Sequence, residues 1–406
     1  MDIKDTNNQQ PTGFRRKVYY IPGYDPFHPR RYRELYRSEG ADQAKISDYS
    51  LNLVPKKTPG SYGWHIDAVI NGQASAADVE VLVWSDIVKS SMNQGITATY
   101  LQLLRTAWTY IGSGALFRLM RLRKGPMIAA LYPIVFLIFQ LILACLAGWG
   151  LGTLLSNLVH PLAGTIAGGA VIWLMLRLFR RWDKKVFAYY LMHDYAYTAQ
   201  DGGANPPELE ARMAAFRQAI TESLSEGYDE VLVVGHSSGA HLAISIIADI
   251  LREGRDVGPT ALSFLSLGQV VPMVSFLPRA TRLRADLRSI STSTEITWVD
   301  VTAPGDGCSF ALCDPVAVSG VAPEGQIWPL VVSAAFTKSL TVARWNALRW
   351  KFFRLHFQYL CAFDRPQDYD YFQITAGAET LGARFGGRVA SKSRIVTPTS
   401  GYTTVA

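Results

Sequence analysis

The chain has 406 residues, a formal net charge of +7, 49% hydrophobic and 18% charged residues. That balance excludes a disordered chain, and the length suits one catalytic-size domain with an insertion. The four cysteines show no Cys-x-x-Cys spacing, so neither a zinc site nor a disulfide framework is indicated, and no basic–aromatic nucleic-acid module is recognisable.

Residues 1–13 (MDIKDTNNQQPTG) are polar, lack an apolar signal-peptide core, and read as disordered with a cytoplasmic start. Lys17–Ile21 (KVYYI) reads as the first strand, followed by the turn Pro22-Gly23-Tyr24-Asp25-Pro26. A helix is expected over Arg30–Glu39, and strands near Ser50–Val54, His65–Ile70 and Val79–Trp84. Thr99–Lys124 reads as one helix, with Leu101, Leu104, Trp108, Ile111, Ala115 and Leu119 at helical spacing. A stripe of that kind packs a core more often than it lies on a membrane or closes as a lid.

Met127–Ala147 and Leu158–Leu176 contain no charged residue, and each is long enough to cross a bilayer as a helix. The link between them, Gly148–Asn157, has no Lys or Arg. Arg118, Arg121, Arg123 and Lys124 precede the pair, and Arg177, Arg180, Arg181, Lys184 and Lys185 follow it. The positive-inside rule then puts both flanks in the cytoplasm and the link on the far side. The expectation is a transmembrane hairpin over residues 125–180 of an integral protein of a bacterial inner membrane, with the lipid bilayer as partner. The basic flanks suit anionic headgroups, and Gly164-x-x-x-Gly168 permits close helix contact.

Beyond the hairpin, Lys185–Ala199 reads as an aromatic helix, and a second helix is expected from about Pro207 to Glu226. The most informative stretch follows: Tyr228–Leu242, YDEVLVVGHSSGAHL. Val231–Val234 reads as a buried strand, Gly235-His236-Ser237-Ser238-Gly239 as a sharp turn, and Ala240–Leu251 as a helix. Further strands are expected at Ala261–Leu267 and Glu295–Val301, a helix over Ala334–Phe353, and a polar, disordered tail over 386–406.

At Gly-x-Ser-x-Gly, set between strand and helix, the chain resembles the α/β-hydrolase superfamily. The resemblance implies an α/β-hydrolase fold, a mostly parallel sheet flanked by helices, formed by residues 14–124 and 181–385 and interrupted by the transmembrane hairpin. It implies Ser237 as nucleophile, then an acid, then a histidine in chain order. His356 is the one histidine well downstream of Ser237, so it is the expected base. Asp306, on the loop after the Glu295–Val301 strand, is the preferred acid, with Asp314 and Asp300 as alternatives. The backbone N–H groups of Ser238 and Tyr24 are the expected oxyanion donors, with no cofactor and no metal. The expected chemistry is cleavage of a small-molecule or lipid ester through an acyl-enzyme. The same residues would also suit an acyltransferase, and an inactive hydrolase-fold membrane scaffold is the non-enzymatic alternative.

Overall fold

The computed structural model of the chain describes residues 13–56, 58–254 and 258–405, so the N-terminal stretch expected to be disordered lies, up to residue 12, outside the described residues. The first strand β1 (Phe14–Ile21) leads to helix α1 (Arg30–Ser47), then to β2 (Ser50–Pro55), β3 (Gly63–Ile70) and β4 (Gln73–Val81). Five helices run next without a strand between them: α2 (Ser85–Met92), α3 (Ile96–Gly112), α4 (Ala115–Leu122), α5 (Lys124–Leu158) and α6 (Pro161–Val186). Then come α7 (Ala188–Ala199), α8 (Pro207–Ser223), β5 (Glu230–His236), α9 (Gly239–Arg252), β6 (Ala261–Leu267), β7 (Ile296–Thr302) and β8 (Leu330–Ser333).

The eight strands form one sheet in the order β2-β3-β4-β1-β5-β6-β7-β8. Only β3 runs against its neighbours; every pairing from β4 to β8 is parallel. This is an α/β architecture with a mostly parallel sheet. Parallel strands buried on both faces need continuous apolar runs, and β5 is buried along its whole length. Its side chains alternate: Leu232 and Val234 join the core on one face with α1, while Val231 and Val233 join the core on the other with α8 and α9.

The topology also fixes where a ligand can sit. From β1 the chain goes out to β2, β3 and β4 on one side, and from β5 it continues to β6, β7 and β8 on the other. The connections after β1 and β5 therefore diverge, which opens a crevice at the carboxyl ends of those two strands.

Several expectations change. The helix expected over Thr99–Lys124 breaks at Ser113-Gly114, where Gly114 has φ 73°. Its stripe divides accordingly. Leu101, Leu104, Trp108 and Ile111 of α3 are exposed, while Ala115 and Leu119 of α4 are buried. The buried face of α3 is Thr99, Leu103, Thr106 and Tyr110. Periodicity found the stripe but not which side of the helix met the protein.

α5 and α6 are long and apolar enough to cross a membrane, with mean hydropathy of 2.5 and 1.7 in their most apolar windows. The expected link Gly148–Asn157 is helical, however, and only Val159 and His160 separate the two helices. The helices touch through two glycine pairs, since a Cβ on Gly164 would sit 2.3 Å from the Gly152 carbonyl oxygen, and one on Gly168 2.7 Å from that of Gly148. The start of the expected first span is not free: Met127 and Ala130 pack with Tyr110 and Leu119, and Leu137 packs with Leu103 and Met192.

β8 was not anticipated, and the helix expected over Ala334–Phe353 is three short helices, Phe336–Ser339, Val342–Leu348 and Phe352–His356. The tail from 386 is laid on the domain. Ile395 exchanges backbone hydrogen bonds with Leu312 and Asp314, the Thr399 N–H donates to Val318, and the Thr404 carbonyl accepts from the buried Arg284 guanidinium. Low hydrophobicity suggested disorder there; backbone pairing and one buried cation supply the anchoring instead.

Candidate active site

The site grows from the β5–α9 junction. Ser237 has φ 56°, the left-handed region in which a side chain costs on the order of 1 kcal/mol. Its N–H donates to the Leu267 carbonyl at the end of β6, 2.9 Å away, which holds the turn against the neighbouring strand. The flanking glycines are required by contact: a Cβ on Gly239 would lie 2.1 Å from the Ile21 carbonyl oxygen, and one on Gly235 2.8 Å from Ala240 Cα. The result is a serine raised at the carboxyl end of the sheet, at the start of a fourteen-residue helix whose dipole favours negative charge.

The loop after β1 meets it. A Cβ on Gly23 would lie 3.0 Å from Ser237 Cβ and 3.5 Å from Ser237 Oγ, so that backbone passes directly beside the serine. Neither the Tyr24 N–H nor the Ser238 N–H is spent on a backbone hydrogen bond among the described residues. Tyr24 is fixed from two directions: its hydroxyl pairs with Ser91 Oγ at 2.6 Å, and the Tyr190 hydroxyl of α7 donates to its carbonyl.

His356 ends the short helix Phe352–His356 and is buried. Its Nδ1 is 2.7 Å from Asp306 Oδ2. Its Nε2 is buried and has no hydrogen-bond partner among the described residues, so one ring nitrogen is held and the other is free to accept a proton. The ring packs at 4.8 Å and a tilt of 35° against that of His236, the residue before Ser237, and the His236 Nε2–H donates to the His356 carbonyl at 3.0 Å. A Cβ on Gly268, which follows Leu267, would touch His356 Cε1 at 3.0 Å. The imidazole is thus seated between the serine turn and the end of β6.

Of the three candidate acids, the structure joins Asp306 to the histidine. Burial works to raise its pKa, but the His356 charge and hydrogen bond, with the Cys308 N–H at 2.9 Å, outweigh it and hold the carboxyl below its ordinary range. Tyr359 adds a further donor, its hydroxyl giving to Asp306 Oδ2 at 3.0 Å and accepting from the Ala303 N–H at 2.9 Å. Asp314 is used elsewhere, capping the helix Pro315–Val318 through Val316 N–H and Ala317 N–H. Asp300 points into the sheet, accepts from Ser266 Oγ at 2.6 Å, and is pushed up to about 8 by burial.

Asp306, Cys308 and His356 bring three metal-ligand-type atoms within 4.8 Å of one another. Without a metal, burial, reinforced by the Asp306 charge, pushes the Cys308 thiol well up.

Three participants escaped the sequence reading. Tyr359 lies three residues past His356, a spacing that signals one helical face. His236 looked like part of the turn; burial drops it to about 3, so it is a neutral donor rather than a base. Asp194 of α7 gave no signal beyond being a carboxylate in an aromatic helix. It lines a cavity beside Ser238 and Tyr24 and has no hydrogen-bond partner among the described residues. Compared with known proteins, the chain matches no family model, no curated protein and no solved structure.

Proposed function

We propose that this chain is an α/β-hydrolase-fold serine hydrolase, anchored to a membrane by the α5–α6 hairpin, that cleaves esters through an acyl-enzyme. The observation that carries the reading is Ser237 in left-handed backbone at a strand-to-helix turn, close to a buried His356–Asp306 pair whose Nε2 has no hydrogen-bond partner among the described residues. In the proposed reaction Ser237 Oγ attacks the ester carbonyl, and its proton passes to His356 Nε2. The developing oxyanion is held by the N–H groups of Ser238 and Tyr24 and by the start of α9. His356 returns the proton to the leaving alkoxide as the carbon–oxygen bond breaks. A water then repeats the sequence on the acyl-enzyme and frees Ser237. Asp306 keeps the histidine in the Nδ1–H tautomer and stabilises the imidazolium, while Tyr359 and the Cys308 N–H keep Asp306 in place.

Two long apolar helices with basic residues at their outer ends support the membrane reading, and the positive-inside rule favours a cytoplasmic catalytic domain. A lipophilic ester is the substrate class that fits a site tied to the base of such a hairpin. The test is fluorophosphonate labelling of membranes holding the full chain. Wild type and Ser238→Ala should label, because Ser238 acts through its backbone, and Ser237→Ala should not. Wild-type labelling of Ser237→Ala overturns the assignment.

A further inference from the structure

The cavity beside the serine has a composition that ester cleavage alone does not require. Its walls include the rings of Tyr24, Trp84 and Tyr197, with His241, Ser238 and the Asp194 carboxylate. The three rings form a triangle with centroids 6.1, 5.9 and 6.3 Å apart. No Lys or Arg lines the cavity. Asp194, half-buried, therefore faces it without a Lys or Arg beside it and without a hydrogen bond among the described residues. Burial holds its pKa up to about 7, with the His356 charge pulling the other way. Two further polar atoms, the Tyr197 hydroxyl and His241 Nδ1, are buried with no hydrogen-bond partner among the described residues.

We propose that this cavity is a recognition site for a compact ammonium group carried by the substrate. The proposal rests on the serine-hydrolase reading and names the substrate class of that same site. The chemistry is complementary at each point. A cation supplies the charge that Asp194 lacks. An aromatic wall of Tyr24, Trp84 and Tyr197 suits a cation better than an anion wherever a ring face is reached. The Tyr197 oxygen and His241 Nδ1 can each accept an N–H. The two ends of a substrate would meet opposite preferences: the start of α9 favours the oxyanion at Ser238, and Asp194 favours the positive group. The space is tight, about 20 Å³ at its centre, which suits a primary ammonium over a bulky quaternary one.

The test uses the full chain in detergent and ethylammonium chloride as the probe, with potassium chloride at equal ionic strength and ethanol as the neutral isostere. Ethylammonium should slow fluorophosphonate labelling of wild type at least tenfold more effectively than either control. Asp194→Asn should abolish that difference, and Tyr197→Leu should weaken it at least threefold. Thermal unfolding of the same samples reads the site without the nucleophile: ethylammonium should raise the Tm of wild type above the potassium chloride control, and not that of Asp194→Asn. Normal labelling with no ethylammonium-specific effect on labelling or Tm overturns the cation site and leaves the hydrolase standing. Absent labelling with an ethylammonium-specific Tm rise that needs Asp194 supports the cation site and strikes the hydrolase reading. Absent labelling without such a rise overturns both. An equal effect in wild type and Asp194→Asn also overturns the cation site.

Discussion

Asp306→Asn separates the proposed catalytic acid from its neighbours with almost no change of shape. Asp306 accepts three hydrogen bonds, from His356 Nδ1 and Tyr359 on Oδ2 and from the Cys308 N–H on Oδ1. An asparagine has one acceptor oxygen in place of two. If that oxygen stays on the Cys308 N–H, the amide N–H₂ faces His356 Nδ1 and selects the tautomer whose Nε2 carries the proton. The serine then has no base, a defect worth ~10,000-fold in kcat, or about 5 kcal/mol. If the amide turns over, the buried Cys308 N–H faces another donor, at a cost of about 1–3 kcal/mol of stability. Both outcomes are readable. Stopped-flow hydrolysis of a chromogenic ester gives the acylation rate, and thermal unfolding gives stability. Asp300→Asn is the control: that carboxyl, raised to about 8, is largely protonated at neutral pH, so the amide resembles what is already there. Its turnover should stay within a few-fold of wild type. Asp306→Asn within tenfold of wild type, with Asp314→Asn inactive, would refute the assignment and move the acid to Asp314.

Ser237→Gly should be more stable than Ser237→Ala by about 1 kcal/mol in chemical denaturation, because only glycine is relaxed at φ 56°; equal stabilities would deny the strain. Gly168→Leu should lower the Tm in detergent by parting α5 from α6, a loss of about 1–3 kcal/mol, while Gly169→Leu, whose Cβ would meet nothing within 4 Å, should be silent. In a cysteine-free background, Asn157→Cys should react only from the far side of the membrane and Glu226→Cys only from the cytoplasmic side; labelling of both from one side rejects the hairpin. The Asp306 pKa is lowered from 3.8, so its contribution to stability is complete above that value and is lost as pH falls through the folded-state value. Acid unfolding of Asp306→Asn should accordingly be flatter below about pH 4 than that of wild type.

The parts legible in the sequence were those governed by local rules. β5 carries a continuous apolar run, Val231–Val234, and Gly235 is demanded by contact with Ala240 a few residues on, whereas Gly239 is demanded by the distant Ile21 carbonyl and was legible only through the Gly-x-Ser-x-Gly pattern. Asp306 was favoured because its loop can turn, and it is the loop carboxylate that reaches the imidazole. The rest depended on what came from a distance. The exposed side of α3 was set by α5 and α7 packing on its other face. The glycines of α5 became meaningful only beside those of α6. His236 and Asp194 acquire their places from rings and loops far along the chain, and no spacing rule reports them; Tyr359 shares its helical spacing with His356 but gains its role from Asp306, over fifty residues earlier. The tail was misjudged because its anchoring is backbone pairing, which composition does not record.

The join between α6 and α7 has a mechanical consequence. One residue, Phe187 at φ 59°, separates them, and Asp183 near the end of α6 accepts from the Tyr189 and Tyr190 N–H groups at the start of α7. That clasp leaves little slack. Asp194 stands about 10 Å along α7 from the joint at 1.5 Å per residue, so a tilt of roughly 10° in α6 displaces it by about 2 Å. Bilayers of different thickness tilt a helix of fixed length by different angles. On the proposed membrane reading the hairpin would be a lever as well as a tether, with the thickness of the surrounding lipid as a setting of the pocket's geometry.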